Sequence, residues 1–151
     1  MVDRTAPVSL LIAAALGTAA VAVALGTLPG PPSVAAVTLS VDGERIVLSN
    51  RAGDSLDVRR LNVVIRVDGT PLRHQPPIPF FSASGFRPGP TGPFNAAADP
   101  VWEPGERASL RVASTNRPTV RAGDRVTVDL RYEGRRLVRL SATASERGRA
   151  L

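Results

Sequence analysis

The chain has no cysteine, no lysine, a single histidine (His74) and only six aromatic residues in 151 positions. Without cysteine there can be no disulfide scaffold, zinc–thiolate site or thiol nucleophile. Packing and sheet hydrogen bonds must then hold any exported domain together. His74 has only Gln75 and prolines close behind it. It lacks the spaced partners of a nucleophile–base pair or a metal cluster, and it reads as a strand-end residue with a structural hydrogen bond. Phosphate-loop, dinucleotide, zinc-protease and nucleophile-elbow motifs are also missing. The run "DGERIVLSNRAGDSLD" offers oxygen ligands without the spacing of a calcium loop. The scattered carboxylates define no glycosidase pair. Enzyme activity, cofactors and bound metals are therefore not expected.

The absence of lysine makes all 19 basic residues arginine, with a net charge of +6. Arginine grips phosphate and carboxylate through two hydrogen bonds at once, so an anionic partner is one explanation. The arginines are nevertheless spread along the chain and interleaved with 13 acidic residues. The longest basic runs are the pairs Arg59-Arg60 and Arg135-Arg136. A general bias towards arginine explains this pattern, and nucleic acid is not an expected partner.

Charge is missing altogether from Ala6 to Val41. The apolar heart of that run, residues 8–28, would form a helix about 30 Å long, enough to cross a hydrocarbon core. Pro7 suits a helix start, and Pro29, Pro31 and Pro32 stop it. The run is longer than an ordinary signal-peptide core, which favours a retained membrane or assembly helix. The competing reading is a secretory signal cut after the small-x-small site Ser33-Val34-Ala35. Arg4, the one basic residue ahead of the helix, points to an inside amino terminus and an extracytoplasmic remainder. The expected organisation is a short leader at 1–7, the helix at 8–28, a Pro/Gly linker at 29–36, a β-domain at 37–144 and a flexible tail at 145–151.

From Val37 the hydrophobic period becomes two. "VTLSVDGERIVLS", "LNVVIRVDGTPLRH" and "RVTVDLRYEGRRLVRLSATA" each read as strand, turn, strand around Asp42-Gly43, Asp68-Gly69 and Glu133-Gly134. "RASLRVAS" adds a strand and "SLDVRR" a short one. The expected fold is an antiparallel, Ig-like β-sandwich of about seven or eight strands. Alternation places Val63, Ile65, Val67, Leu110, Val112, Val126, Val128 and Leu130 inward, with Thr127, Asp129, Arg131 and many arginines on solvated faces. "RAGD" at 51–54 and again at 121–124 reads as turn chemistry used twice.

Between the second hairpin and "RASLRVAS" lies a long connection, residues 75–105, which holds Phe80, Phe81, Phe86, Phe94 and Trp102. Its aromatic content argues against disorder, and "PGPTGP" dictates turns. It is either a rigid cover over one end of the domain or an exposed aromatic interface for a neighbouring subunit or glycan.

Two stretches carry a resemblance. The apolar helix followed by "DGERIVLSNRAGDSLDVRRLNVVIRVDG", and "HQPPIPFFSASGFRPGPTGPFN" followed by Asp99, Trp102 and "TNRP", resemble archaeal, especially haloarchaeal, type IV pilin-like proteins. Asp42-Gly43, Ile46, Leu48 and Ala52-Gly53-Asp54 stand at the places of that family's Gly-Asp, alternating-apolar, Gly-Gly-Asp pattern. The resemblance implies a leader cut at a basic residue before the helix, here around Arg4, Thr5 and Ala6, with Thr5 where Gly or Ala is usual. It further implies a structural or adhesion subunit at the cell surface, held in the membrane through residues 8–28 or assembled there with like subunits. The alternative is a non-polymerising, membrane-tethered module that binds an anionic or glycan ligand.

Overall fold

The structure is a computed structural model, and it describes residues 33–146. The expected helix at 8–28 lies outside them; among the described residues no helix is long and apolar enough to cross a membrane.

The described residues form an all-β domain of antiparallel sheets. Its strands are β1 (Ala35–Asp42), β2 (Arg45–Gly53), β3 (Leu56–Asp57), β4 (Leu61–Val67), β5 (Thr70–Pro71), β6 (Val101–Trp102), β7 (Arg107–Arg111), β8 (Arg125–Tyr132) and β9 (Arg135–Thr143). One sheet has the order β1-β2-β7, another β5-β4-β8-β9, and β3 pairs with β6 as a small ribbon. The three expected hairpins are β1–β2, β4–β5 and β8–β9. In the last two, both turn residues take positive φ (Asp68 with Gly69, Glu133 with Gly134). That is the backbone of a turn whose twist matches the strands. In the first hairpin the turn is Gly43–Glu44, one residue later than Asp-Gly, because Asp42 still pairs with Arg45.

Alternation sets the core as expected. Val63 faces Leu130, Ile65 faces Val128 and Val67 faces Val126 across β4 and β8, and all six are buried. Ile46 and Leu48 on β2 pair with Leu110 and Ala108 on β7, again buried. Side chains from both larger sheets belong to one core cluster. Burial of side chains of this size is worth about 1.5–3 kcal/mol each relative to exposure, the main term available to a domain without disulfides.

Four expectations need correction. The strands number nine, because Val101-Trp102 pairs with Leu56-Asp57. "SLDVRR" contributes only those two residues as strand before a 3-10 turn at Val58–Arg60. Asp57 caps that turn, and the bond from the Arg59 side chain, with that from its N–H, lowers the Asp57 carboxyl to about 2. The return strand of the second hairpin stops at Pro71; the Leu72 N–H still reaches the Ile65 carbonyl at 3.0 Å, but the Ile65 N–H does not return to the strand. The Gln75 side chain takes over, accepting the Ile65 N–H at 2.7 Å and donating to the Ile65 carbonyl at 3.0 Å. Finally, the domain is wider at both ends than 37–144. β1 begins at Ala35, and Ser145 is held by its N–H on Val41 O and its carbonyl on the Gly43 N–H, so the tail begins later than 145.

Candidate functional site

Residues 75–105 are an ordered cover, and most of the expected aromatic interface is core. Phe80, Phe86, Phe94 and Trp102 are buried; Phe81 alone is exposed, at 59%. Phe94 meets Trp102 edge-on at 5.4 Å, and Phe80 meets Phe86 at 5.7 Å. Such pairs add to plain area burial. The Trp102 indole N–H donates to the Glu106 carbonyl at 2.9 Å, so its polar atom is satisfied inside the domain. Four of the five rings are thus spent on packing, and no contiguous aromatic patch is left for a partner.

The same connection guards a sheet edge. Phe86 bridges Val112, Thr91 bridges Ser109, and the Arg87 N–H donates to Arg111 O. Those bonds occupy the outer edge of β7, which would otherwise offer unpaired backbone to another chain. His74 is held in place through its backbone. Asn116, fully buried, binds both its N–H and its carbonyl.

Arginines scattered through the sequence converge on two sheet faces that hold them differently. On the β4–β8–β9 face, Asp129 is buried rather than solvated as alternation predicts. Arg139 bonds it with Nε at 2.7 Å and Nη2 at 3.1 Å, Arg66 with Nη1 at 2.9 Å, and Arg136 stands at 3.8 Å. The long arginine stems lie over the carboxylate and shield it. The Arg139 bond, with the charges of Arg136 and Arg66, holds the Asp129 carboxyl below the usual carboxylate range despite its burial. This cluster ties three arginines to one buried carboxylate and keeps a net positive charge.

The β1–β2–β7 face has no such bonded cluster, although Asp42 on β1 stands opposite Arg45. Alternation turns Arg45, Ser49 and Arg51 of β2 outward beside Thr38 and Ser40 of β1 and Arg107 and Arg111 of β7. Register then puts Arg45 directly opposite Arg111, and Ser49 opposite Arg107. Among the described residues no ion pair reaches Arg45, Arg51, Arg107 or Arg111. Like charges directly opposed across strands destabilise a sheet. Arg87, on the guarding loop, is bonded by Glu44. Two adjoining open depressions of about 480 and 290 Å³ share Arg45, Thr91 and Ser109 as lining. The hydroxyls of Thr91 and Ser109 bond each other at 2.6 Å, which fixes the floor between them. An array of cations and hydroxyls on one sheet face can hold an extended anion.

Sequence reading missed this face because it depends on which strands become neighbours. The one available signal was outward parity: Arg45, Arg51, Arg107 and Arg111 all sit at solvent-facing positions of their strands.

A third arrangement lies where the chain enters the domain. Val34 and Asp54 bond each other twice: the Val34 N–H donates to Asp54 Oδ2 at 2.9 Å, and the Asp54 N–H donates to the Val34 carbonyl at 2.8 Å. Gly53, at φ +102°, makes room, since a Cβ there would lie 2.4 Å from the Val34 oxygen. The first "RAGD" is thus a clasp on the start of β1. The second is a turn closed on itself by Arg121 and Asp124, with the Arg121 N–H on Asp124 Oδ2 at 2.8 Å. The expected processing residues Arg4, Thr5 and Ala6 lie outside the described residues. No protein-family model matches the chain, and no curated protein matches it.

Proposed function

We propose that the protein is a pilin-like structural or adhesion subunit of the archaeal cell surface. In this reading residues 8–28 anchor it as a single membrane pass or assemble it with like subunits. The β-domain, an Ig-like sandwich whose two larger sheets share one core, is displayed outside. The observation that carries the proposal is the clasp of Gly53 and Asp54 on Val34. The domain uses Val34 and Ala35 as structural residues, so cutting after Ala35 would discard half of the clasp and the Ala35–Gly53 pairing. This favours a chain that passes without a break from the apolar segment into β1. It also supplies a physical role for Ala52-Gly53-Asp54, the residues that carry the pilin-like resemblance.

The test is intact mass and amino-terminal sequencing of the protein purified from its native membrane. A start at Thr5 or Ala6 supports pilin-type processing and assembly. A start at Ala36 sinks both anchored readings. An uncut chain favours the tethered, non-polymerising module, for which the unpaired arginines of the β1–β2–β7 face speak.

A further inference from the structure

We propose that the open face of β1, β2 and β7 binds an anionic polysaccharide, with Arg45, Arg107 and Arg111 gripping its carboxylate or sulfate groups. The proposal holds whether or not the chain polymerises. Its basis is charge complementarity. Elsewhere the domain ties three arginines to a carboxylate of its own, Asp129. On this face Arg45 and Arg111 stand in register with no carboxylate bonded to either among the described residues. Asp42 and the Arg87-bound Glu44 are the carboxylates beside five arginines there. An anion seated between Arg45 and Arg111 removes their mutual repulsion, and each guanidinium can offer it two parallel N–H donors.

The spacing suits a polymer rather than a single small anion. Arg107 and Arg111 lie four residues apart on β7, roughly 13 Å along the strand. One rigid row therefore meets successive anionic groups. Beside that row, Ser49 opposite Arg107, with Thr38 and Ser40 on the next strand, presents short hydroxyls that match sugar hydroxyls. The lining contains no aromatic ring, the platform on which nucleic-acid bases stack. Its apolar lining residues, Leu39, Val47 and Leu110, are aliphatic and not the aromatic anchors enriched in protein–protein contacts.

The experiment uses the full-length chain in detergent micelles, titrated into fluorescein-labelled heparin, polygalacturonate, neutral dextran and a twenty-residue oligothymidylate. Heparin or polygalacturonate should bind at low salt and weaken as salt screens the contact; dextran should not bind. Arg45→Gln/Arg111→Gln should weaken polysaccharide binding about ten-fold or more. Arg121→Gln/Arg135→Gln removes the same charge elsewhere on the surface and should change binding by less than about two-fold. Unaltered circular dichroism of both variants shows that they fold. The proposal is overturned if neither polysaccharide binds, if the two double variants lose binding equally, or if the oligothymidylate binds at least as tightly as the polysaccharides.

Discussion

Asn116 clasps the backbone of His74 from both sides, accepting its N–H on Oδ1 at 3.1 Å and donating from Nδ2 to its carbonyl at 3.0 Å. The same Nδ2 reaches the Gly85 carbonyl at 3.1 Å, and the same Oδ1 takes the Arg117 N–H at 3.0 Å. One fully buried amide therefore joins the exit of the second hairpin, the aromatic cover and the segment after β7. Asn116→Ala leaves those backbone groups without partners and should lower unfolding stability by about 3 kcal/mol in chemical denaturation. Asn116→Asp keeps the acceptor but loses the donors, and should cost about 2 kcal/mol. A loss below about 1 kcal/mol for both would show that the cover is held by its rings alone.

The rings carry a separate prediction. Phe94→Ala should cost about 3–5 kcal/mol, because a fully buried side chain against Trp102 leaves a cavity. Phe81→Ala should stay within about 0.5 kcal/mol, since its ring is largely in solvent. Trp102 is the only tryptophan, so its fluorescence reports unfolding of this layer directly. Equal losses for the two variants would mean that the Phe81 ring is buried within the folded chain and belongs to the same layer.

How much of this was legible in the chain follows from the range of the forces involved. Period-two alternation is local, and it placed the three hairpins and the inward faces of β4, β7 and β8 correctly. Two-residue strands are too short to show a period: Val101-Trp102 sits between Pro100 and Glu103-Pro104 and becomes strand only because Leu56-Asp57 lies beside it. Asp129 looked solvated because its parity is outward; three arginine stems from β4 and β9 cover it. Arg45 and Arg111 are 66 positions apart, and nothing before the pairing of β2 with β7 says that they face each other. The burial of Phe80, Phe86, Phe94 and Trp102 likewise required knowing that β7 needed its edge covered.

Gly53 and Gly69 both take positive φ, which separates backbone strain from crowding. Around Gly69 a Cβ meets nothing within 4 Å, so Gly69→Ala should cost about 1 kcal/mol, the strain alone. Around Gly53 a Cβ would collide with backbone, Val34 O at 2.4 Å and Ala35 Cα at 2.9 Å. Gly53→Ala should therefore cost at least about 2 kcal/mol and release the start of β1. Hydrogen exchange is the discriminating measurement: the Asp54 amide, bonded to Val34 O, should lose protection in Gly53→Ala and keep it in Gly69→Ala. Retained protection in both would remove the clasp from its role at the entry to the domain.

Asp129 sets the acid response. Its carboxyl titrates lower in the folded chain than in the unfolded one, chiefly through the Arg139 bond. As pH falls, the unfolded chain therefore takes up the proton first. The stabilisation is complete above the ordinary aspartate value of about 3.9 and is lost as pH drops from there through the lower folded value. Asp129→Asn should cost about 1–2 kcal/mol at pH 7, between exposed and fully buried ion pairs, because the three arginine side chains are 34%, 53% and 50% exposed and can turn to water. The same variant should show a shallower fall in stability on acidification. The fall should not vanish, since Asp57, held at about 2 by Arg59, protonates late as well. Urea midpoints measured from pH 7 down to pH 2 decide the point. Parallel acid limbs in the wild-type chain and Asp129→Asn would show that Asp129 has the same proton affinity folded and unfolded.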